Sequence, residues 1–459
     1  MQPVLDIVRP VAEAFTDAGQ QLYLVGGIVR DQLLGRELED KTDIDLTTDA
    51  YPGHIKTIIA PLVDALWTSG ERFGTIGCRI GGRELEITTH RAEVYVADSR
   101  KPKVRFAEAV EVDLSRRDFT VNAMALALPE PRLIDPFEGA TDLAAGRLRT
   151  PLSPEESFTD DPLRMLRAAR FIAGYGLQPE PDVTEAVHRN ALRLEIVSAE
   201  RIRDELDKLL SVQDPSAGLW FVVETGLAEQ FLPELPAMRL EQDPIQHHKD
   251  VLAHTIAVVA KTEPERIIRL AALLHDVGKP KTRSITRDGV SFHHHEVVGA
   301  RMARDRMQAL RYANDDVEAV RQLVFLHLRF HTYGLGWTDS AVRRFVRDAG
   351  PLLDDLIQLT RCDCTTRNRR KAEMLSRRMD ELEERIQELQ EKEEVKAIRP
   401  DLDGRQVMEG LGVPPGPIVG KALSFLLELR LEEGPLGEDE AGRRLAAWWA
   451  AQQHREASR

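Results

Sequence analysis

The sequence predicts an α+β protein, a small head of strands and helices followed by helices to the end of the chain. Three observations lead there. At 459 residues the chain has room for three or four domains with their own cores. Within the first 140 residues, short apolar runs of strand type abut glycines: Tyr23-Leu24-Val25 before Gly26-Gly27, and Thr75–Ile80 and Glu84–Thr89 around Gly81-Gly82. From Phe158 onward, apolar residues recur mainly at helical spacing. The expected division is a head over 1–140, a helical neck over 141–240, a histidine-bearing helical domain over 241–370, and a connecting helix with a helical tail over 371–459.

The first twenty residues read as an amphipathic helix with Val4, Leu5, Val8, Val11, Ala12 and Phe15 on one face. Strand 23–25, the two glycines and the helical spacing from Ile28 to Gly35 make a strand, a tight turn and a helix. Glycines there let the backbone approach a ligand, and helix-start amides favour anions. Next comes Thr42-Asp43-Ile44-Asp45-Leu46. Alternation along a strand turns Asp43 and Asp45 to one face, about 7 Å apart. Two such carboxylates suit a hard divalent cation shared with substrate phosphates. Pro52–Leu62 suggests a helix. In the second strand of the later pair, Glu86 lies between two apolar residues, either as a solvent-facing side chain or as a third carboxylate of the same site.

Arg116-Arg117-Asp118-Phe119-Thr120-Val121-Asn122-Ala123 reads alone as a helix start capped by Asp118. Two arginines before a helix start are electrostatically unfavourable unless an anion bridges them, and guanidinium groups fit phosphate oxygens. In Phe158-Thr159-Asp160-Asp161-Pro162-Leu163-Arg164-Met165-Leu166-Arg167, Pro162 suits the first helical position, with Asp161 as cap. Asp161 and Arg164 then share a helix face.

Taken together, Gly26 to Asp31 followed by Asp43-Ile44-Asp45-Leu46, and above all the octapeptide 116–123, resemble the class II transfer RNA nucleotidyltransferases and bacterial poly(A) polymerases. The resemblance implies a head of the kind found in DNA polymerase beta, with Asp43 and Asp45 as catalytic ligands of Mg²⁺. It also implies nucleotide contacts from Gly26, Gly27, Arg30, Arg116, Arg117, Asp118, Asn122, Arg167 and Arg170. Asp135-Pro136-Phe137-Glu138-Gly139 with Asp142 resembles the family's joint between head and neck. The stretch around Asp161 and Arg164 resembles its nucleotide-selecting motif, with Asp160 where the pattern usually has Glu. A carboxylate beside a guanidinium complements the amino donor and ring acceptor of cytosine and adenine, and mismatches uracil and guanine. The segment from Ser198 resembles the last neck motif, where a Glu and an Arg brace the neighbouring helix; Ser198 with Arg201 makes no capping box.

Beyond residue 245 the chemistry changes. His254, then Leu273-Leu274-His275-Asp276-Val277-Gly278-Lys279, the triple His293-His294-His295, His327 and Asp363 follow in order. Imidazole with carboxylate suits first-row transition metals. The ordered set His254, His275, Asp276 and Asp363 resembles the HD phosphohydrolase superfamily, with His295 and His327 as candidates for a second metal. The triple histidine leaves that register open, and His331 competes with His327. Residues 370–398 read as a solvated charged helix with Met374, Met379, Leu382, Ile386 and Leu389 as its seam. Gly412 to Lys421 reads as a turn into a helix.

The net charge of −14 counts mildly against a nucleic-acid binder. Phosphate affinity comes from local clusters, and the arginines above, with Arg367 to Lys371, supply them. Three cysteines, Cys78, Cys362 and Cys364, exclude a disulfide framework and fit a reducing cytoplasm. No apolar run reaches membrane-spanning length. The expectation is therefore an enzyme that adds or repairs the 3′-terminal CCA of tRNA from CTP and ATP, with a phosphohydrolase activity of the HD part. A poly(A) polymerase, or an HD phosphohydrolase with an RNA-binding head, are the alternatives.

Overall fold

The computed structural model describes residues 2–36, 44–94, 103–240, 250–286, 289–332, 338–364, 369–392 and 398–457. The chain divides into two compact units, Met1–Pro236 and Ala237–Arg459. Residue 140 lies inside the helix Gly139–Ala145 and residue 370 inside the helix Arg369–Lys392.

In the head the described strands are β1 (Leu22–Val25), β2 (Ile44–Thr48), β3 (Ala65–Trp67), β4 (Thr75–Ile80), β5 (Arg83–Thr89), β6 (Arg91–Val94), β7 (Lys103–Phe106), β8 (Ala125–Leu128) and β9 (Arg132–Ile134). Seven of them form one sheet in the order β3-β4-β5-β2-β1-β8-β9, and β6 pairs with β7 separately. Only β2 and β5 run parallel in the large sheet. Strand β2 shows the alternation the sequence implies: Ile44 and Leu46 are buried while Asp45 between them is exposed. The amphipathic helix Gln2–Asp17 buries Val4, Val8, Val11, Ala12 and Phe15, the face expected except for Leu5.

Two local expectations are corrected. Residues 118–126 do not start a helix: Thr120–Asn122 makes one 3-10 turn, and Ala125–Leu128 is a strand lying against β1. Pairing with a strand a hundred residues away overrides the local apolar spacing. Arg116 and Arg117 accordingly follow the carboxyl end of the helix Val110–Ser115, where positive charge is favourable. The electrostatic reason for a bridging anion at a helix start thus falls away.

The neck is all helix apart from one short strand pair, Arg147–Leu148 with Gln178–Pro179. The helix Pro154–Asp160 is capped by Ser153, whose hydroxyl accepts from the Glu156 amide. The helix Leu163–Tyr175 follows, and Asp161 meets its start by accepting from the Leu163 amide at 3.2 Å. Among the described residues the second unit is helical except for the small pair Ser284–Thr286 and Gly289–Ser291. Its long helix Arg369–Lys392 is anchored rather than solvated all round. Met379, Leu382, Ile386 and Leu389 are buried, Met374 is exposed, and Arg361 from the helix Leu353–Asp363 donates to Asp380 at 2.7 Å. In the tail, Gly412 ends the helix Gly404–Leu411 in the left-handed conformation, and Pro417 opens the next at its first position. No helix among the described residues is long and apolar enough to cross a membrane.

Candidate active site

Asp45 and Glu86 are register partners on the parallel pair β2–β5, and both side chains are exposed. Neighbours on one row of a sheet share a face, so Glu86 stands beside Asp45 as a second carboxylate. Asp43 lies outside the described residues. Gly26, directly after β1, has φ +76°, a conformation that favours glycine. A Cβ there would lie 3.0 Å from Nη1 of Arg117 and 3.8 Å from Oδ2 of Asp45, so a side chain would crowd the arginine beside the carboxylate. A Cβ on Gly27 would lie 3.3 Å from Nη2 of Arg30.

A cavity of about 190 Å³ opens above these groups, lined by Asp45, Glu86, Arg91, Asp113, Arg116 and Arg117 among others. Asp113, which the sequence reading overlooked, holds the arginines. Arg116 donates to its Oδ1 at 2.9 Å and Arg117 to its Oδ2 at 3.2 Å, while the Arg91 amide donates to Oδ1. Burial alone would raise the Asp113 carboxyl, but the two guanidinium groups outweigh it and bring it down to about 2. Exposed carboxylates on one side and arginines on the other suit a divalent cation with a triphosphate, the cation neutralising the row and the arginines the phosphates.

The remaining expected nucleotide contacts form a buried network. Asp118 accepts from Nδ2 of Asn122 at 3.0 Å and from Nε of Arg167 at 2.7 Å. Despite burial, Arg167 and Asn122 hold its carboxyl well below the usual range. Arg30 donates to Oδ1 of Asn122 at 2.6 Å and to Asp31 at 3.0 Å, and also bonds the Tyr175 hydroxyl. Arg170 pairs with Glu205. Arg30, at 5% exposure, is buried and braces Asn122.

Asp161 and Arg164 keep separate partners. Oδ2 of Asp161 accepts from Arg201 at 2.8 Å, and Arg164 donates to Oγ of Ser157 at 2.9 Å and to the Arg116 carbonyl at 2.5 Å. One turn of helix brings the two near one face, but a better-placed arginine from the helix Ala199–Leu210 takes the carboxylate. Arg164 still lines a second cavity, with Arg116, Arg117, Ser157 and Asp160. Ser198 caps its helix without a side-chain bond, as expected, while Arg201 and Glu205 do the bracing. Asp135 accepts from the Gly139 and Ala140 amides, and Asp142 bonds Thr120 and Arg149.

In the second unit the histidines converge. His254, His275 and Asp276 offer ligand atoms within 4.8 Å of one another, as do Asp276, His295 and His327. Asp276 belongs to both groups, with Oδ2 3.2 Å from Nε2 of His275 and Oδ1 3.4 Å from Nε2 of His295. Asp363 accepts from Nε2 of His254 at 2.8 Å. The Nδ1 atoms of His275, His295 and His327 meet the carbonyls of Ala272, Phe292 and Val324 at 2.6–2.8 Å. That fixes a tautomer with Nε2 free to ligate. Nε2 of His275 is buried without an aligned hydrogen bond. Burial opposes charge on His275, yet Asp276 and Asp363 raise it to about 10, so the acidic pair draws a proton where a cation would fit. The donor set fits a divalent transition metal better than Mg²⁺. His295 is the buried member of the triple, and His293 and His294 are exposed. The side chains of His331, Arg369 and Lys371, and residues His247, His248 and Arg367, lie outside the described ones.

A family model for the poly A polymerase head domain matches residues 22–149. One for a probable RNA and SrmB-binding site of polymerase A matches 176–238, and one for the HD domain matches 246–392. The A-adding tRNA nucleotidyltransferase of Deinococcus radiodurans is 33% identical over 444 residues, 93% of this chain and 95% of that protein. The CCA-adding enzyme of Limosilactobacillus reuteri is 40% identical over 233 residues, but the match spans only 50% of this chain and 56% of that enzyme. In fold, the chain resembles the Bacillus stearothermophilus CCA-adding enzyme in complex with CTP, with a TM-score of 0.70 at 24% identity, covering 99% of this chain and 100% of that one. It also resembles the Thermotoga maritima CCA-adding enzyme complexed with tRNA, with a TM-score of 0.59 at 19% identity, covering 97% and 96%.

Proposed function

The chain belongs to the tRNA nucleotidyltransferase family, and from that premise we propose that it adds or repairs the 3′-terminal CCA of tRNA from CTP and ATP, without a template. The observation that carries this reading is the cavity in which the carboxylates Asp45 and Glu86 face Arg116 and Arg117. The terminal 3′-oxygen attacks the α-phosphorus, the bond from that phosphorus to the β-phosphate bridging oxygen breaks, pyrophosphate leaves, and the hydroxyl proton passes to solvent. Asp45, with Asp43 from the sequence and Glu86 beside it, would hold Mg²⁺, which supplies Lewis acidity at the phosphates when bound. Arg116 and Arg117 receive the triphosphate, and Asp113 keeps them from repelling each other before it arrives. Asp118, Asn122, Arg167 and Arg30 keep that wall rigid. Arg164 and Asp161 read the base edge, Asp161 sharing its carboxylate with Arg201. The protein would act in the cytoplasm.

For the histidine cluster we propose a divalent transition-metal site with phosphohydrolase activity. Incubating the protein with tRNA ending at the discriminator base, and with each triphosphate separately and in pairs, tests the main reading. Addition of C from CTP alone, and of A only after two C, is expected. A second reading, A-only addition, is favoured by the A-adding relative that matches across 95% of its length. Extension confined to tRNA already ending in CC would establish it, and extension into long A tracts would mark a poly(A) polymerase.

A further inference from the structure

Four residues stand in one straight row across the head sheet. Trp67 on β3 is the register partner of Gly77 on β4, Gly77 of Glu86 on β5, and Glu86 of Asp45 on β2. Residues on one such row share a face and step by about 4.8 Å per strand. The indole of Trp67 therefore lies on the face that carries the carboxylates, two strands from Glu86. A Cβ built on Gly77 would fall 1.9 Å from Nε1 of Trp67, so the ring lies across the bare backbone of the glycine, toward Glu86.

A cavity of about 250 Å³ sits over this ring, lined by Trp67, Phe73, Thr75, Gly77, Glu86 and Arg91 among others. It shares Thr75, Glu86 and Arg91 with the cavity of the arginine pair. The Arg91 guanidinium, anchored on Oγ1 of Thr75 at 3.0 Å, belongs to both. The order across the sheet is thus Gly26 and Arg117 at the end of β1, then Asp45, then Glu86, then Gly77 under Trp67. In-line displacement at phosphorus puts the leaving pyrophosphate and the attacking hydroxyl on opposite sides of the α-phosphate. With the triphosphate at Arg116 and Arg117, the hydroxyl must come from the β4 and β3 side.

We propose that Trp67, seated on Gly77, is the stacking platform for the terminal base of the RNA acceptor, and that this second cavity is the acceptor subsite. The inference rests on the nucleotidyl-transfer reading of the head. An indole face accepts any base, as a site must whose acceptor end changes with each addition. Phe73, exposed at the cavity mouth beside Arg72, gives the preceding nucleotide an aromatic face and a positive charge.

The test uses a tRNA transcript whose terminal base is 2-aminopurine, which loses fluorescence on stacking, with the wild-type protein, Trp67→Ala, Trp67→Phe and Gly77→Ala. Binding by the wild type should quench the probe. Trp67→Ala should lose the quenching and raise the KM for RNA about tenfold, with the KM for triphosphate little changed. Trp67→Phe should restore most of both, and Gly77→Ala, which displaces the indole without removing it, should behave like Trp67→Ala. An undiminished quench and an unchanged RNA KM in Trp67→Ala overturn the proposal. So does an equal rise in both KM values without rescue by phenylalanine, which marks a disturbed sheet. Absence of quenching by the wild type overturns it too. Quenching that depends on Trp67 in a protein that adds no nucleotide would uphold the platform and refute the proposed function.

Discussion

Asp113 accepts from Arg117 at 3.2 Å while its other oxygen accepts from Arg116 at 2.9 Å, so one carboxylate at 1% exposure holds both arginines of the head cavity. The arrangement offsets the repulsion of two adjacent guanidinium groups at a cavity open to solvent. A triphosphate can then bind by joining a charge network already in place.

Asp113→Asn keeps the shape and removes the charge. The expected outcome is a KM for CTP and ATP raised about tenfold, a loss of roughly 1.4 kcal/mol, with a smaller change in the KM for RNA. Steady-state kinetics with each substrate varied in turn checks it. Equal changes for all substrates would make Asp113 a folding residue only.

The same carboxyl links stability to pH. Its folded value, about 2 against the ordinary 3.8, is depressed. The associated stability is therefore fully present above pH 3.8 and is lost as the pH falls toward 2. The difference is worth about 2 kcal/mol. Denaturant unfolding at pH 6 and at pH 2.5 should show the advantage of the wild type over Asp113→Asn shrinking at the acid end. A constant gap would contradict the cause assigned to the shift.

Asp161 is held by Arg201, which gives base selection a sharper test. Asp161→Ala should admit UTP or GTP, whereas loss of a helix-start contact alone costs about 1 kcal/mol without changing base preference. Arg201→Ala should release Asp161 and alter selection less than Asp161→Ala does. Identical behaviour of the two variants across all four triphosphates would leave the pair as a brace between helices.

In the histidine cluster, Asp276 belongs to both ligand groups and His327 to one. The protein loaded with manganese or nickel should hold two ions per chain, His327→Ala about half as many, and Asp276→Ala close to none. Metal content by mass spectrometry after dialysis reports this. Hydrolysis of a 2′,3′-cyclic phosphate and of a simple phosphodiester should follow the metal content, while CTP and ATP addition persists. No hydrolysis with any metal would leave a metal-binding scaffold.

Much of this was legible in the sequence, for physical reasons that differ from residue to residue. Alternation around Asp45 and the glycines after Val25 encode strand and turn locally, and β2 and the Gly27–Leu33 helix formed where they pointed. The ordered His and Asp residues foretold a cluster, though only the fold could choose His295 within the triple. Strand β8 was misread because its partner lies a hundred residues away, and no local pattern encodes that pairing. Asp113 went unnoticed because an acidic residue on a six-residue helix has no signature until the chain turns Arg116 and Arg117 back onto it. The helix Pro154–Asp160 did carry a signal, Ser153 three residues before Glu156, and that capping pair forms.

The central claim is that one carboxylate row in the head transfers every nucleotide. The most direct test is incorporation of CTP and of ATP, each with its proper tRNA acceptor, by Asp45→Asn beside the wild type, with RNA binding measured in parallel. Addition of both C and A is expected to be abolished while tRNA still binds. Loss of A addition with C addition retained, or the reverse, would contradict it.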